Sequence, residues 1–410
     1  MSDPLTLPSA EVLADHSLPF RFSGLSSDEA PPRPPRRPRR RALTWTLSLV
    51  GAVLLAGGFT LLQLGASQGF DDAQGSLDRA TTQQDAAVQQ VRAALSRSDS
   101  TTKTVGAVLA TQSDDLISAA DRTGLTTADD AAVQAAHTAT GLIPSGPVAK
   151  RAKPFWFWEA DSAADRLRAD ASAARRSTTS LDSAGKKIDE TLTAVQASGS
   201  AAITAAADRA AGAEAANVPA TNESVLSLRT MVTQVKSLAS PLQEQLTTTF
   251  PALVLAVHKV QASHAATLDA ESGPLEDSRL QLEAFARSLA PGVLIDFEWS
   301  DLVNGLGGPN GYLSGETAWW YDQGGYATIR LSNSIAESWP SDSAHAIVAH
   351  EVGHAITVRC RTMYDTTNDQ TAEAWATAWA ISMGYTNEAN GTSAYGAPPE
   401  SLIQTAAGCR

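Results

Sequence analysis

Basic residues are scarce once the first 41 residues are set aside. Residues 1–41 hold seven arginines and five acidic residues, so 24 basic and 39 acidic residues remain in 42–410. This acidic excess repels phosphate backbones and anionic lipid headgroups. We therefore expect no nucleic-acid partner, and we expect no anionic membrane surface to bind the acidic part.

Large apolar and charged side chains are also infrequent, and alanine, threonine and serine fill many stretches. Leu181, Ile188 and Val195 approximate heptad spacing, but too few large apolar residues occupy such positions to define a coiled coil. Breaks that contain proline and glycine divide the region into several segments. The pattern predicts a stalk or bundle of long antiparallel helices over residues 67–289.

Cysteine occurs only twice, at Cys360 and Cys409. If this part of the chain lies outside the cytoplasm, a disulfide between the two residues is favoured. Two free thiols are the alternative, because the sequence does not show whether the residues are close in space.

Charged residues are absent from residues 42–66, and this run follows the arginine-rich segment 33–41. About 20 apolar residues suffice to span a bilayer, and flanking arginines stay on the cytoplasmic side. The pattern predicts a transmembrane helix over 42–66, a disordered cytoplasmic tail over 1–41 and an extracytoplasmic remainder, in a single-pass protein of the cell membrane. A cleaved signal peptide is the alternative, but the apolar run is long for one and begins late.

Composition changes after residue 290, where glycine, tryptophan, tyrosine and β-branched residues become more frequent. Residues 293–299 and 326–331 predict strands, with turn-forming residues 307–311 between them. Residues 340–343, Pro-Ser-Asp-Ser, predict the start of a helix with a serine or aspartate as its N-cap. We expect a small domain over residues 290–410.

The helix that begins there contains His350-Glu351-Val352-Gly353-His354. Residues four apart lie one turn apart on the same face, so His350 and His354 can direct their imidazole nitrogens at one metal ion, with zinc expected. Glu351 lies beside the same space and is placed to act as a general base and acid. The alternative, two ordinary surface histidines, is disfavoured because the motif rarely arises by chance.

A catalytic zinc site needs a third protein ligand. Cys360 follows the motif by six residues, but Glu373 fits better because it lies in a second predicted helix with small residues on the same face. Residues 367–370 predict the start of this helix and Gly384 its end. The two tryptophans of this helix lie on another face and are expected in the core.

Residues 350–354, followed by Thr371-Ala372-Glu373-Ala374-Trp375-Ala376, resemble the gluzincin branch of the zincin metallopeptidases. The resemblance covers roughly residues 292–385. It implies a small sheet packed on the active-site helix, with an edge strand that holds an extended substrate. Residues 325–332 would be that strand by their position before the helix.

The chain departs from the family at Thr377, where many gluzincins have an aspartate that orients a ligand histidine. A partner for His350 or His354 must come from elsewhere or from the Thr377 hydroxyl. The group that would stabilise an oxyanion is also open. Chemistry alone suggests four tyrosines and one histidine, namely Tyr321, Tyr326, Tyr364, Tyr385 and His345.

The expected fold is α+β, with one transmembrane helix, a long all-α extracytoplasmic stalk or bundle and a small zincin-like C-terminal domain. The expected function is that of a membrane-anchored zinc endopeptidase acting on a peptide or protein substrate. Glu351 would be the general base and acid, and His350, His354 and Glu373 would hold Zn²⁺. One alternative is a non-catalytic, zinc-binding structural or sensory membrane protein. Another is that the helical region carries the main function by binding partners.

Overall fold

The computed structural model describes residues 42–113, 115–308 and 312–410, with side chains from residue 54 onward. Most of the described chain is helical. The helices that precede the sheet are α1 (Ala42–Ala110), α2 (Ala119–Leu142), α3 (Phe157–Ala216), α4 (Asn222–Leu238), α5 (Leu246–Glu271) and α6 (Glu276–Leu289). The predicted disordered tail over residues 1–41 lies outside the described residues.

The prediction of a transmembrane helix over residues 42–66 is wrong for the part of the chain that the structure describes. No helix there is both long enough and apolar enough to cross a membrane. Helix α1 continues from this run without a break into polar residues such as Ser67 and Asp71. The same finding contradicts the predicted location of the chain as a single-pass protein of the cell membrane.

Small side chains fill much of the space between the long helices α1, α2 and α3. Leu181, Ile188 and Val195, which have approximate heptad spacing, are fully buried in α3. Leu181 and Ile188 share one cluster and Val195 lies in another, and alanine is frequent in both. Helix α2 packs on α3, and α4 packs on α5. The observed arrangement is therefore a bundle with three small cores and one larger core, rich in leucine and valine, that joins α3, α4 and α5.

Beyond α6 the chain forms two small sheets. The strands are β1 (Leu294–Ser300), β2 (Leu302–Val303), β3 (Leu306–Gly307), β4 (Gly315–Trp320) and β5 (Tyr326–Ser332). The larger sheet has the order β1-β5-β4, with β1 parallel and β4 antiparallel to β5. The prediction that residues 325–332 form an edge strand is wrong. Strand β5 is central because β1 pairs with one side of it and β4 with the other.

Short polar side chains begin both helices that carry the predicted ligands. The helices after the sheet are α7 (Asn333–Glu337), α8 (Asp342–Ala355), α9 (Asp369–Ser382), α10 (Thr392–Tyr395) and α11 (Glu400–Ala406). Ser341 is the N-cap of α8 and accepts a hydrogen bond from the Ala344 amide, in agreement with the predicted start. Asn368 is the N-cap of α9, and its side chain accepts a hydrogen bond from the Gln370 amide.

One core joins the sheet, α6, α8 and α9. Trp375 and Trp379 of α9 are fully buried in it, as predicted. The predicted disulfide is present between Cys360 and Cys409. Trp379 Nε1 also donates a hydrogen bond of 2.9 Å to the Cys409 carbonyl. Residue 409 is thereby fixed against the helix that carries Glu373.

Candidate metal centre

Helix α8 presents His350 and His354 on one face, one turn apart. Their exposed fractions are only 4% and 5%, and their rings are nearly perpendicular with centroids 4.9 Å apart. Ala344, Val348 and Val352 lie on the neighbouring face and pack into the core. The helical period therefore anchors α8 through its apolar face and directs both imidazoles away from that core.

Helix α9 brings Glu373 to the two histidines. Its Oε2 atom lies 3.0 Å from His350 Nε2 and 3.3 Å from His354 Nε2. The two helices approach closely at Gly353, where an added Cβ would collide with the backbone of Ala376. The glycine therefore lets α9 come near enough for the carboxylate to contact both imidazoles. The structure brings together all three residues that the sequence predicts as ligands.

These three side chains fit a tetrahedral zinc ion. Their candidate ligand atoms all lie within 4.8 Å of one another. Two atoms bound at about 2.0–2.1 Å to one tetrahedral ion lie about 3.3 Å apart, close to the observed Nε2–Oε2 separations. Two imidazoles and one carboxylate leave one of four coordination positions open. No other group of three potential ligands with this spacing occurs among the described residues.

Two carboxylates control the protonation of this cluster. Burial would raise the pKa of the Glu373 carboxyl, but hydrogen bonds from His350 and His354 outweigh burial and lower that pKa. Burial would lower the pKa of His350, whereas the hydrogen bond to Glu373 and the charge of Glu351 raise it. The site therefore attracts positive charge, and a metal ion would compete with protons for the same nitrogen atoms.

Glu351 lies beside the three converging side chains without joining them. It is 4% exposed, and its Oε2 atom accepts a hydrogen bond of 2.6 Å from Thr317 Oγ1 in β4. A Cβ at Gly315 of the same strand would overlap with the Glu351 carboxylate. Strand β4 thus holds one carboxylate oxygen of Glu351 through Thr317, and Gly315 leaves space for the carboxylate. Neither Thr317 nor Gly315 belongs to a motif, so sequence reasoning missed both.

The second ring nitrogen of His350 faces a main-chain carbonyl. His350 Nδ1 lies 2.9 Å from the Asn390 oxygen and 3.4 Å from Thr377 Oγ1. The Thr377 hydroxyl donates its proton to the Glu373 carbonyl, at 2.8 Å. The orienting partner of His350 therefore comes from elsewhere in the chain. Sequence reasoning missed it because every residue type carries a carbonyl.

His354 is oriented in a different way. The indole ring of Trp319 in β4 lies parallel to its imidazole, with ring centroids 5.6 Å apart and planes at 8°. Trp319 Nε1 in turn donates to the Tyr321 hydroxyl at 3.2 Å. His354 Nδ1 has no hydrogen-bond partner in the described part of the chain. The two histidines are thus held by a hydrogen bond in one case and by ring stacking in the other.

A cavity of about 450 Å³ opens beside His350 and Glu351. Apolar, hydroxyl-bearing and small residues form most of its wall, among them Leu306, Tyr312, Leu313, Ser343, Ile347 and Ala394. Tyr395 also lines it and stacks on His350, with ring centroids 5.9 Å apart. Burial and the charges of Glu373 and Glu351 raise the pKa of Tyr395 to about 12. Its hydroxyl therefore keeps its proton at neutral pH.

The five residues that chemistry alone suggested for the oxyanion do not line the described wall of this cavity: Tyr321, Tyr326, Tyr364, Tyr385 and His345. Tyr364 stacks on Trp375, with ring centroids 4.5 Å apart. Tyr385 and His345 stack with each other at 6.5 Å. Tyr395 was not singled out from the sequence, because it lies in a short helix far from the motif along the chain.

Comparisons of the chain with protein-family models, curated proteins and solved structures find no match. The chemistry that the site can support therefore follows from its own residues. These provide two imidazoles and a carboxylate that converge, a second carboxylate beside them and a cavity next to both.

Proposed function

We propose that residues 290–410 form a zinc-dependent peptidase domain that hydrolyses peptide bonds. One observation supports this function above the rest. His350, His354 and Glu373 converge on one point, while Glu351 lies beside them at the wall of the same cavity. A site that only bound a metal ion would not need a second buried carboxylate at this place, whereas hydrolysis requires a group that moves a proton.

A bound zinc ion would supply Lewis acidity, which lowers the pKa of water and polarises a carbonyl group. The three converging side chains would hold the ion through two Nε2 atoms and one Oε2 atom. Glu351 would take a proton from the attacking water and pass it to the leaving nitrogen. Thr317 donates to Oε2 of Glu351, so Oε1 is the oxygen available to receive that proton.

Tyr395 is placed to act as a donor in the same reaction. Its ring lies against His350, and its raised pKa keeps the hydroxyl protonated. A neutral phenol can donate a hydrogen bond to the oxygen that becomes negative when the carbonyl is attacked.

The surroundings of Glu351 favour an extended peptide with a bulky, uncharged side chain. In the described part of the chain, β4 pairs with β5 on one side and has no strand on the other, so its other edge can accept a further strand. The cavity next to Glu351 is lined mainly by uncharged residues. Leu306 and Tyr312 in its wall are 47% and 60% exposed, and exposed apolar groups that lie together are typical of contact surfaces.

Zinc content and peptide cleavage test the proposal in the purified full chain. We expect about one zinc ion per chain, lost in His354→Ala. Glu351→Gln should keep the zinc, and its rate of cleavage of a mixed peptide library should fall by about 10²–10⁴-fold. Glu337→Gln, at an exposed position, is the matched control and should change neither quantity. Unchanged cleavage by Glu351→Gln, or no zinc uptake by the folded chain, would refute the proposal.

Zinc binding without cleavage is the second candidate function. Thr377 favours it, because this residue replaces the aspartate that many gluzincins use to orient a histidine. This second function would be supported if the unmodified chain binds one zinc ion but cuts no peptide in the library, so that it does not differ from Glu351→Gln.

A further inference from the structure

We infer that Asn390 is the positioning residue of His350, and that its main-chain carbonyl replaces the aspartate that Thr377 does not provide. The inference rests on the proposed function, since it concerns how one of the proposed zinc ligands is oriented. It gives a role to a residue that lies 40 positions after His350 and outside the motif.

The contact between the two residues determines which ring nitrogen can bind a metal ion. The Asn390 carbonyl oxygen lies 2.9 Å from His350 Nδ1, and a carbonyl oxygen only accepts hydrogen bonds. Nδ1 must therefore carry the proton and donate it. The proton that Nε2 donates to Glu373 in the metal-free chain is then the one that a metal ion would displace, so that Nε2 would be the ligand atom.

The side chain of Asn390 holds its own carbonyl in this position. Its Oδ1 atom accepts hydrogen bonds from the amide and the hydroxyl of Thr392, at 3.0 Å and 2.6 Å. Its Nδ2 atom donates to the Tyr385 carbonyl, at 2.9 Å. Asn390 is 1% exposed, so water competes little for these bonds. Both ends of the amide are used, and the segment around residue 390 is therefore tied to two other points of the chain.

The next residue brings this segment into direct contact with the imidazole. Gly391 has a φ of 100°, a conformation that glycine adopts without strain. A Cβ at this position would overlap with the His350 ring and with Thr377 Oγ1. The backbone of residues 390–391 therefore lies against His350 on the side where the family's aspartate would lie.

Zinc affinity tests this role without reference to cleavage. Groups that orient a metal-binding histidine typically contribute about 10–100-fold to metal affinity. We expect Asn390→Ala to weaken zinc binding by about this factor, measured by competition with a chelator of known affinity. Introducing Thr377→Asp into Asn390→Ala should recover most of the loss, because a carboxylate at residue 377 can accept the Nδ1 proton instead.

A pair of glycine substitutions provides a matched control. Gly391→Ala and Gly384→Ala both place a Cβ at a residue with positive φ, but only residue 391 has His350 within reach of that atom. Gly391→Ala should weaken zinc binding, and Gly384→Ala should leave it within about 2-fold of the unmodified chain.

The outcomes separate this inference from the proposed function. An unmodified chain that binds no zinc refutes both. Zinc binding that is unchanged in Asn390→Ala leaves the proposed function intact and overturns the inference. A third outcome is that Asn390→Ala weakens zinc binding, that Thr377→Asp does not restore it, and that the metal-free variant melts at a lower temperature. This outcome would assign Asn390 a role in folding only and would also overturn the inference.

Discussion

The helical region, residues 68–289, and the C-terminal region, residues 290–410, bury different kinds of side chain. Buried positions of α3 are mainly alanine, with single larger residues such as Leu181, and they fall into several clusters. The C-terminal core is one cluster that contains two fully buried tryptophans of α9, and α8, which packs in the same core, carries buried histidine and glutamate side chains.

This difference shows what the candidate site needs from its surroundings. Buried histidines and carboxylates are costly unless each finds a partner in a fixed position. Large side chains, a disulfide and close helix contact supply that order in the C-terminal region. The long helices α1 to α3 pack through small clusters that are rich in alanine, and the helical region holds no group of three potential metal ligands among the described residues.

Among the changes that test this comparison, replacement of Trp375 should have the largest effect on stability and zinc binding. Trp375 is fully buried, and its Nε1 atom donates a hydrogen bond of 3.1 Å to the Gly353 carbonyl within the motif. We expect Trp375→Ala to lower the free energy of unfolding by about 5 kcal/mol and to abolish zinc binding. Leu181→Ala in the helical region should cost about 3 kcal/mol and leave zinc binding unchanged. Urea unfolding and zinc titration measure both. Loss of zinc in both variants would show that the two regions are not independent.

Removal of the disulfide should have the next largest effect. The bond closes a loop with a sequence separation of 49, and the loop-entropy relation gives about 4 kcal/mol for this length. The Cys360→Ser, Cys409→Ser double variant should therefore be less stable by about this amount, measured by thermal unfolding. The reduced unmodified chain is the matched control and should show the same loss. Equal stability with and without the bond would contradict the view that the C-terminal region depends on it.

Glu271 links stability to pH where the two regions meet. It is buried near Glu283, and burial, followed by the charge of Glu283, raises the pKa of Glu271 from 4.5 to about 8. Between these values only the folded chain keeps the proton. The free energy of unfolding should therefore fall as the pH rises from about 4.5 to about 8, by at most about 1.4 kcal/mol per pH unit.

Glu271→Gln should remove this contribution, so that the variant gains stability relative to the unmodified chain as the pH rises. Urea unfolding at several pH values in the window measures the difference. Asp269→Asn, at an exposed position of the same helix, is the control and should leave the pH dependence unchanged. A Glu271→Gln variant with the original pH dependence would show that the proton resides on another group.

Local patterns predicted the parts of the site that depend on helical periodicity. The spacing of His350 and His354, the position of Glu373 and the serine cap of α8 all follow from sequence over a few residues. The sheet order did not follow, because the choice between β4 and β5 as the edge strand depends on contacts that no local pattern encodes. The uncharged run at residues 42–66 predicts a transmembrane helix, but no helix of the described residues is both long and apolar enough to cross a membrane, and the run continues into polar residues in the same helix.

The sequence also did not predict contacts that depend on main-chain atoms or on residues outside any motif. The Asn390 carbonyl contacts His350 through an atom that every residue has, and its position depends on a turn after α9. Thr317 contacts Glu351 because the sheet folds against α8, and Tyr395 contacts His350 because a short helix does so. Their residue types are common, so only three-dimensional proximity identifies them.

The close approach of α8 and α9 has a mechanical consequence. Gly353 and Ala376 leave no room between the two helices, and the indole of Trp375 is hydrogen-bonded across the same contact. The three converging side chains therefore belong to one rigid body. Under the proposed function, a peptide would contact β4 and the wall of the cavity beside Glu351. The contacts to the substrate would therefore lie mainly outside the rigid pair of helices that would hold the ion.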